Sequence, residues 1–167
     1  MSEAVPEPWL RGPLPGVHPL VQPILFSFAQ VREDLAKHTA GLTSEQVWQK
    51  HGRASLGFHL KHLAGSVDRL TTYLTGHELS EMQLRALREE NSGQEDAAAL
   101  RKLVDDALSA SEQRLRTLDP RQIYDPRTVG RKKLPTTVLG LLVHLAEHTQ
   151  RHLGQAITLA KCLQDER

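Results

Sequence analysis

Residues 136–163, TTVLGLLVHLAEHTQRHLGQAITLAKCL, form the longest helical pattern in the chain and set the reading of everything else. His144, His148 and His152 are spaced by fours within it. An α-helix turns once per ~3.6 residues and rises ~5.4 Å per turn, so histidines four apart stack on one face and can reach a common point. That is the geometry of a bidentate metal clamp, which needs a third ligand from another element. The other histidine-bearing helical pattern, SLGFHLKHLAGSVDRLTTYLT over residues 55–75, offers His59 and His62. The remainder of the chain is expected to bring these two helices together.

Composition narrows the class. A chain of 167 residues fits one domain with a proper core, and 39% hydrophobic with 25% charged residues is a globular balance. Aromatics are only 4%, and the apolar positions are mostly Leu, Ala and Val, which favours helices packed on helices. A net charge of +1, with basic and acidic residues interleaved, argues against nucleic acid as the main partner. The single cysteine, Cys162, excludes an internal disulfide and a CxxC-type zinc or redox site. It is expected to be a small buried or half-buried filler. The opening MSEAVPEPWLRGP does not resemble a signal peptide, and the run Val138 to Val143 is far short of the ~20 residues of a membrane span. A cytoplasmic location without membrane attachment is expected.

In chain order, residues 1–16 carry four prolines and predict an extended N-terminal arm, with Trp9 pinning it to the body. Residues 17–167 read as a single domain. A helix from about His18 to Ala40 places Leu20, Ile24, Phe28, Val31 and Leu35 on one buried stripe. A short helical turn over Thr43–Trp48 carries a capping signature, with Trp48 as a core plug. Residues 49–54 read as a polar loop before Ser55, a plausible N-cap. In the next helix Leu56, Leu60, Leu63, Val67, Leu70 and Leu74 alternate four- and three-residue gaps, the seam of a bundle helix, with His59 and His62 on its flank. Ser80–Glu90 reads as a short amphipathic crossover helix, and about 95–118 as a helix burying Leu100, Leu103, Val104, Leu108 and Leu115. Residues 119–134 form a long connection, after which Pro135 fits the first position of the final helix. The expected fold is all-α: a four-helix bundle with a short crossover helix between its second and third main helices.

The pairing of HLKHLAGS (59–66) with HTQRHLGQ (148–155) resembles the DinB-like (DinB/YfiT) superfamily of metal-dependent proteins. The resemblance covers nearly the whole chain. It implies a four-helix bundle, often a homodimer, and a metal triad at His62, His148 and His152. It further implies zinc, nickel or iron as the ion and, for some members, S-transfer from a small thiol. His59 and His144 fall outside the implied triad and are expected to sit behind the ligand rings instead of binding the ion. They also leave a one-turn alternative open within each helix.

Three neutral imidazoles would leave a metal coordination position open, as catalytic sites require. The chain shows no Ser-His-Asp or Cys-His motif, so the reacting group is expected to be water or thiolate on the ion, and no catalytic side chain or cofactor-binding residue is assigned. The ion's identity does not follow from imidazole ligands. Candidate partners for the ligand rings are Glu147, Gln155 and Asp68. Arg131, Lys132 and Lys133, before the last helix, form either a solvated loop or a seat for an anionic substrate or thiol. The reading is a metal-dependent hydrolase or small-molecule thiol S-transferase. The alternative is a non-catalytic metal-binding or stress-related dimeric bundle.

Overall fold

The computed structural model describes residues 5–165. Residues 1–4 of the expected arm, and 166–167 at the other end, lie outside the described residues. Four long helices dominate: α1 (Gln22–His38), α3 (Leu56–Leu74), α5 (Ala97–Arg116) and α6 (Val138–Asp165). Two short helices, α2 (Ser44–Trp48) and α4 (Glu81–Arg88), sit in the connections. Helix α3 packs on α5 and α6, and α1 packs on α6 and α5, which closes a four-membered ring.

Side-chain ties give the helix directions. Ser27 meets Thr149 and His38 meets Gln164, so α1 and α6 run parallel. Arg32 reaches Asp105 and Thr39 reaches Arg101, so α1 and α5 are antiparallel. Thr71 meets Ser111 while Lys61 reaches Glu95, so α3 and α5 are parallel. Helix α6 runs antiparallel to α3. Parallel neighbours need a crossover connection, and residues 75–96, with α4 inside them, supply it.

The seam of α3 is buried at every expected position from Leu56 to Leu74. Ser55 caps it by accepting from Phe58 N, and Gly76, at φ +82, ends it. Thr43 and Gln46 form the capping box of α2. Where the chain departs from expectation, local chemistry gives the reason. Helix α1 starts at Gln22, because the prolines confine the preceding residues to turns. Leu20 is therefore 46% exposed, and Val21 and Leu25 fill the stripe beside Ile24. Leu103 is 43% exposed, because α5 presents Leu100, Val104, Leu108 and Leu115 inward. Trp9 is 61% exposed and donates to Glu7; the arm is tied to α1 by the Arg11–Glu33 ion pair. Cys162 is exposed, off the stripe of Ala156, Ala160 and Leu163.

Two segments expected to be irregular are small antiparallel hairpins. Lys50–His51 (β1) pairs with Ala54–Ser55 (β2), and Pro126–Val129 (β3) pairs with Leu134–Thr137 (β4). Pro135 lies in β4 opposite Thr128, not in the first turn of a helix; a two-stranded hairpin has an edge on each strand, where a missing N–H is tolerated. Helix α6 begins at Val138, with Thr137 Oγ1 accepting from Gly140 N.

Trp48 is half-buried. Its ring lies flat on α3 at Gly57, and its Nε1 donates to Glu95 O, while Lys61 Nζ stands 5.3 Å above the ring. A Cβ at Gly57 would sit 2.9 Å from three ring carbons. Replacing a helical glycine by alanine ordinarily adds stability of ~0.5–1 kcal/mol. Gly57→Ala should instead destabilise, by about 1–3 kcal/mol through overpacking, with a red shift of tryptophan emission. Urea unfolding with fluorescence detection measures both, and a stabilised variant with unchanged emission would contradict the packing described.

Candidate metal centre

The antiparallel crossing of α3 and α6 puts the first half of one helix beside the middle of the other. His62 Nε2 lies 3.1 Å from His148 Nε2, and His59 Nδ1 lies 3.1 Å from His152 Nδ1. The ring of His152 is centred 4.4 Å from that of His62 and 4.6 Å from that of His148. His62, His148 and His152 each offer one ring nitrogen, all within 4.8 Å of one another. Phe58 stacks on His62 at 5.4 Å and walls the cluster on one side.

Electrostatics disfavours the charged form of His59, His148 and His152. Burial, and then the neighbouring rings with His62 first, lowers His148 to about 4 and His152 to about 3. His59, buried, is lowered for the same two reasons. Neutral imidazole is the form that ligates a metal.

The residues present fit an ion. Two ligands held ~2.0–2.1 Å from one ion at a tetrahedral angle stand ~3.3–3.4 Å apart, close to the observed Nε2 separation. Nδ1 of His148, the ring nitrogen other than the one facing His62, is buried and has no hydrogen-bond partner among the described residues. A second group, His144, Glu147 and His148, also brings its ligand atoms within 4.8 Å. All three come from one helix, and Glu147 already binds His144 Nδ1 and Arg151 at 2.6 Å each. A carboxylate neutralised by arginine is a poorer cation seat than the inter-helix cluster.

The expected partners of the ligand rings lie elsewhere. Glu147 serves His144 and Arg151, and Asp68 accepts from Gln83. Gln155 lines an open cleft of about 510 Å³ with His51, Arg53, His59 and Arg151. His62 instead meets Glu90: Oε2 is 2.7 Å from His62 Nδ1, and Oε1 accepts from Arg69 Nη1 at 2.7 Å. The signal for this was Arg69 itself, which shares a face of α3 with His62 and Gly65 at a spacing of three and four and needs an anion once buried. The Arg131–Lys133 cluster forms the β3–β4 turn, where Lys133 faces Glu78. That turn borders a cavity of about 780 Å³, lined by Tyr73, His77 and Arg127 among others. Arg127 there binds Leu74 O, about 18 Å along α3 from His62 at the helical rise. The cluster therefore belongs to the other end of the bundle.

A helical bundle with an inter-helix histidine cluster defines the class. The DinB superfamily model matches residues 27–156, and the chain belongs to that family. No curated protein matches the sequence. Among solved structures, YfiT from Bacillus subtilis, described as a probable metal-dependent hydrolase with an unusual four-helix bundle topology, superposes with a TM-score of 0.64. It is 17% identical, over 92% of this chain and 93% of its own. No helix among the described residues is long and apolar enough to cross a membrane.

The depressed histidines make metal-free stability depend on pH. Unfolded rings titrate near 6.5, whereas folded His148 and His152 titrate near 4 and 3, so between these values the unfolded chain binds more protons. Stability is therefore complete above about pH 6.5 and is lost as pH falls toward 4 and 3. Urea midpoints of chelator-treated protein at pH 7.5, 6 and 5 should fall in that order. A flat series would contradict the burial of these rings.

Proposed function

We propose that this chain is a metal-dependent enzyme in which His62, His148 and His152 hold one divalent transition ion, zinc, nickel or iron. The observation that carries the reading is the meeting of three ring nitrogens from two helices within 4.8 Å. When bound, such an ion is a Lewis acid that lowers the pKa of a small nucleophile, water in a hydrolase or a low-molecular-weight thiol in an S-transferase. The chain's own residues supply the rest. Burial keeps His148 and His152 unprotonated at neutral pH, and Phe58 and the core leucines exclude water from the inner side. The cleft of His51, Arg53, Gln155 and Arg151, joined to the cluster through His59, supplies the approach for substrate. The description of YfiT as a probable hydrolase supports the hydrolytic form. A homodimer and a cytoplasmic location complete the reading.

Protein purified without an affinity tag should contain close to one transition-metal ion per chain by elemental analysis. His148→Ala should reduce that content by tenfold or more and abolish turnover against a panel of esters and amides, or of thiols with electrophiles. Absence of any ion in protein kept free of chelators would overturn the proposal. An ion without turnover in either panel would leave the non-catalytic metal-binding dimer.

A further inference from the structure

We propose that Glu90, clamped by Arg69, is the positioning residue that fixes the tautomer of His62 and so aims its Nε2 lone pair into the cluster. The inference rests on the ligand role given to His62 above, but its core concerns this chain's residues alone. Glu90 is 4% exposed, and both its oxygens are engaged, one by Arg69 and one by His62. Arginine has only donors, and a carboxylate paired with it only accepts. Nδ1 of His62 must therefore be the donor and carry the proton. In the neutral ring Nε2, the atom facing His148, then keeps its lone pair.

The arrangement is built, not incidental. Gly65 lies between the partners on α3, and a Cβ there would fall 2.6 Å from Arg69 Nη1 and 2.7 Å from Glu90 Oε1. The segment carrying Glu90 is fastened beyond it. Lys61 Nζ donates to Ser92 O at 2.9 Å and pairs with Glu95, whose carbonyl accepts from Trp48. Metal-bound histidines characteristically donate their second ring N–H to a carboxylate, which orients the ring and raises its basicity. Here that carboxylate comes from the crossover, not from a helix of the histidine pair.

The test uses full-length protein labelled with ¹⁵N-histidine, made metal-free with chelator, at a pH where the rings are neutral. Long-range ¹H–¹⁵N correlation should show His62 as the Nδ1–H tautomer. In Glu90→Gln, Arg69 holds the amide oxygen, so the amide N–H faces His62 and donates to Nδ1. The proton then moves to Nε2. Zinc affinity by chelator competition should fall roughly 10- to 100-fold. The double variant Arg69→Met with Glu90→Gln removes both buried charges and lets the amide oxygen turn to His62. It should restore the Nδ1–H tautomer and most of the affinity, and it serves as the test should Glu90→Gln alone fail to fold. An Nε2–H tautomer in the wild type would overturn the proposal, as would a His62 spectrum and affinity unchanged in Glu90→Gln. Wild-type protein that binds no zinc, yet whose tautomer follows Glu90 as described, would refute the ligand reading and leave the positioning role intact.

Discussion

The antiparallel register of α3 against α6 packs imidazoles into a helix–helix seam, where burial and the neighbouring rings disfavour a charge on His59, His148 and His152. His62 faces His148 and His59 faces His152, so moving three residues along one helix corresponds to moving four back along the other. Above and below the cluster the seam is aliphatic: Leu60, Leu63 and Val67 from α3, Leu145 and Leu153 from α6. A charge on His148 or His152 would be buried beside other imidazoles, which is the reason burial and then His62 head the causes of their lowered pKa values. The protons excluded by the fold leave lone pairs available.

A buried carboxylate is stable only where its oxygens are occupied, and Glu90 meets that condition with one cation and one imidazole. The two demands answer each other. Arg69 needs an anion in the bundle, the anion needs a second donor, and His62 provides it. The mechanical support runs outward through Lys61, Glu95 and Trp48 to the glycine at position 57, so a packing contact near the start of α3 helps hold the segment that reaches His62.

The sequence revealed the parts of this structure that rest on period and failed on those that rest on approach. Leucine spacing in α3 is a property of the helix alone, and every seam position it marked is buried. The histidines were legible because HxxxH puts rings on one face whatever the helix packs on. Glu90 was not, since REEN at the end of a short amphipathic helix looks like a solvated surface, and only tertiary placement of the crossover buries its second acid. Leu103 shows the converse: three- and four-residue spacing admits it to the stripe as readily as Val104, and the angle at which α5 meets its neighbours decides between them. The β3–β4 hairpin was hidden by Pro135, whose fit to a helix start competes with its fit to an edge strand. The ring nitrogens that face each other depend on side-chain rotation, which no residue spacing encodes.

Topology explains why the acid arrives where it does. In an up-down-up-down bundle each connection is a short turn at one end, and no segment travels back along the helices. Here α3 and α5 are parallel, so the chain must return the full length of α3 before α5 can begin. Residues 75–96 make that return along the outside of α3. Glu90 falls near the end of the journey, beside the turns of α3 that carry His62, Gly65 and Arg69, and the chain then enters α5 at its Asp96 cap. The parallel pair thus does more than vary the order of helices. It lays a loop against the histidine-bearing face from a third direction, which two facing helices alone could not provide, and it places a carboxylate behind one ring while His59 stands behind another.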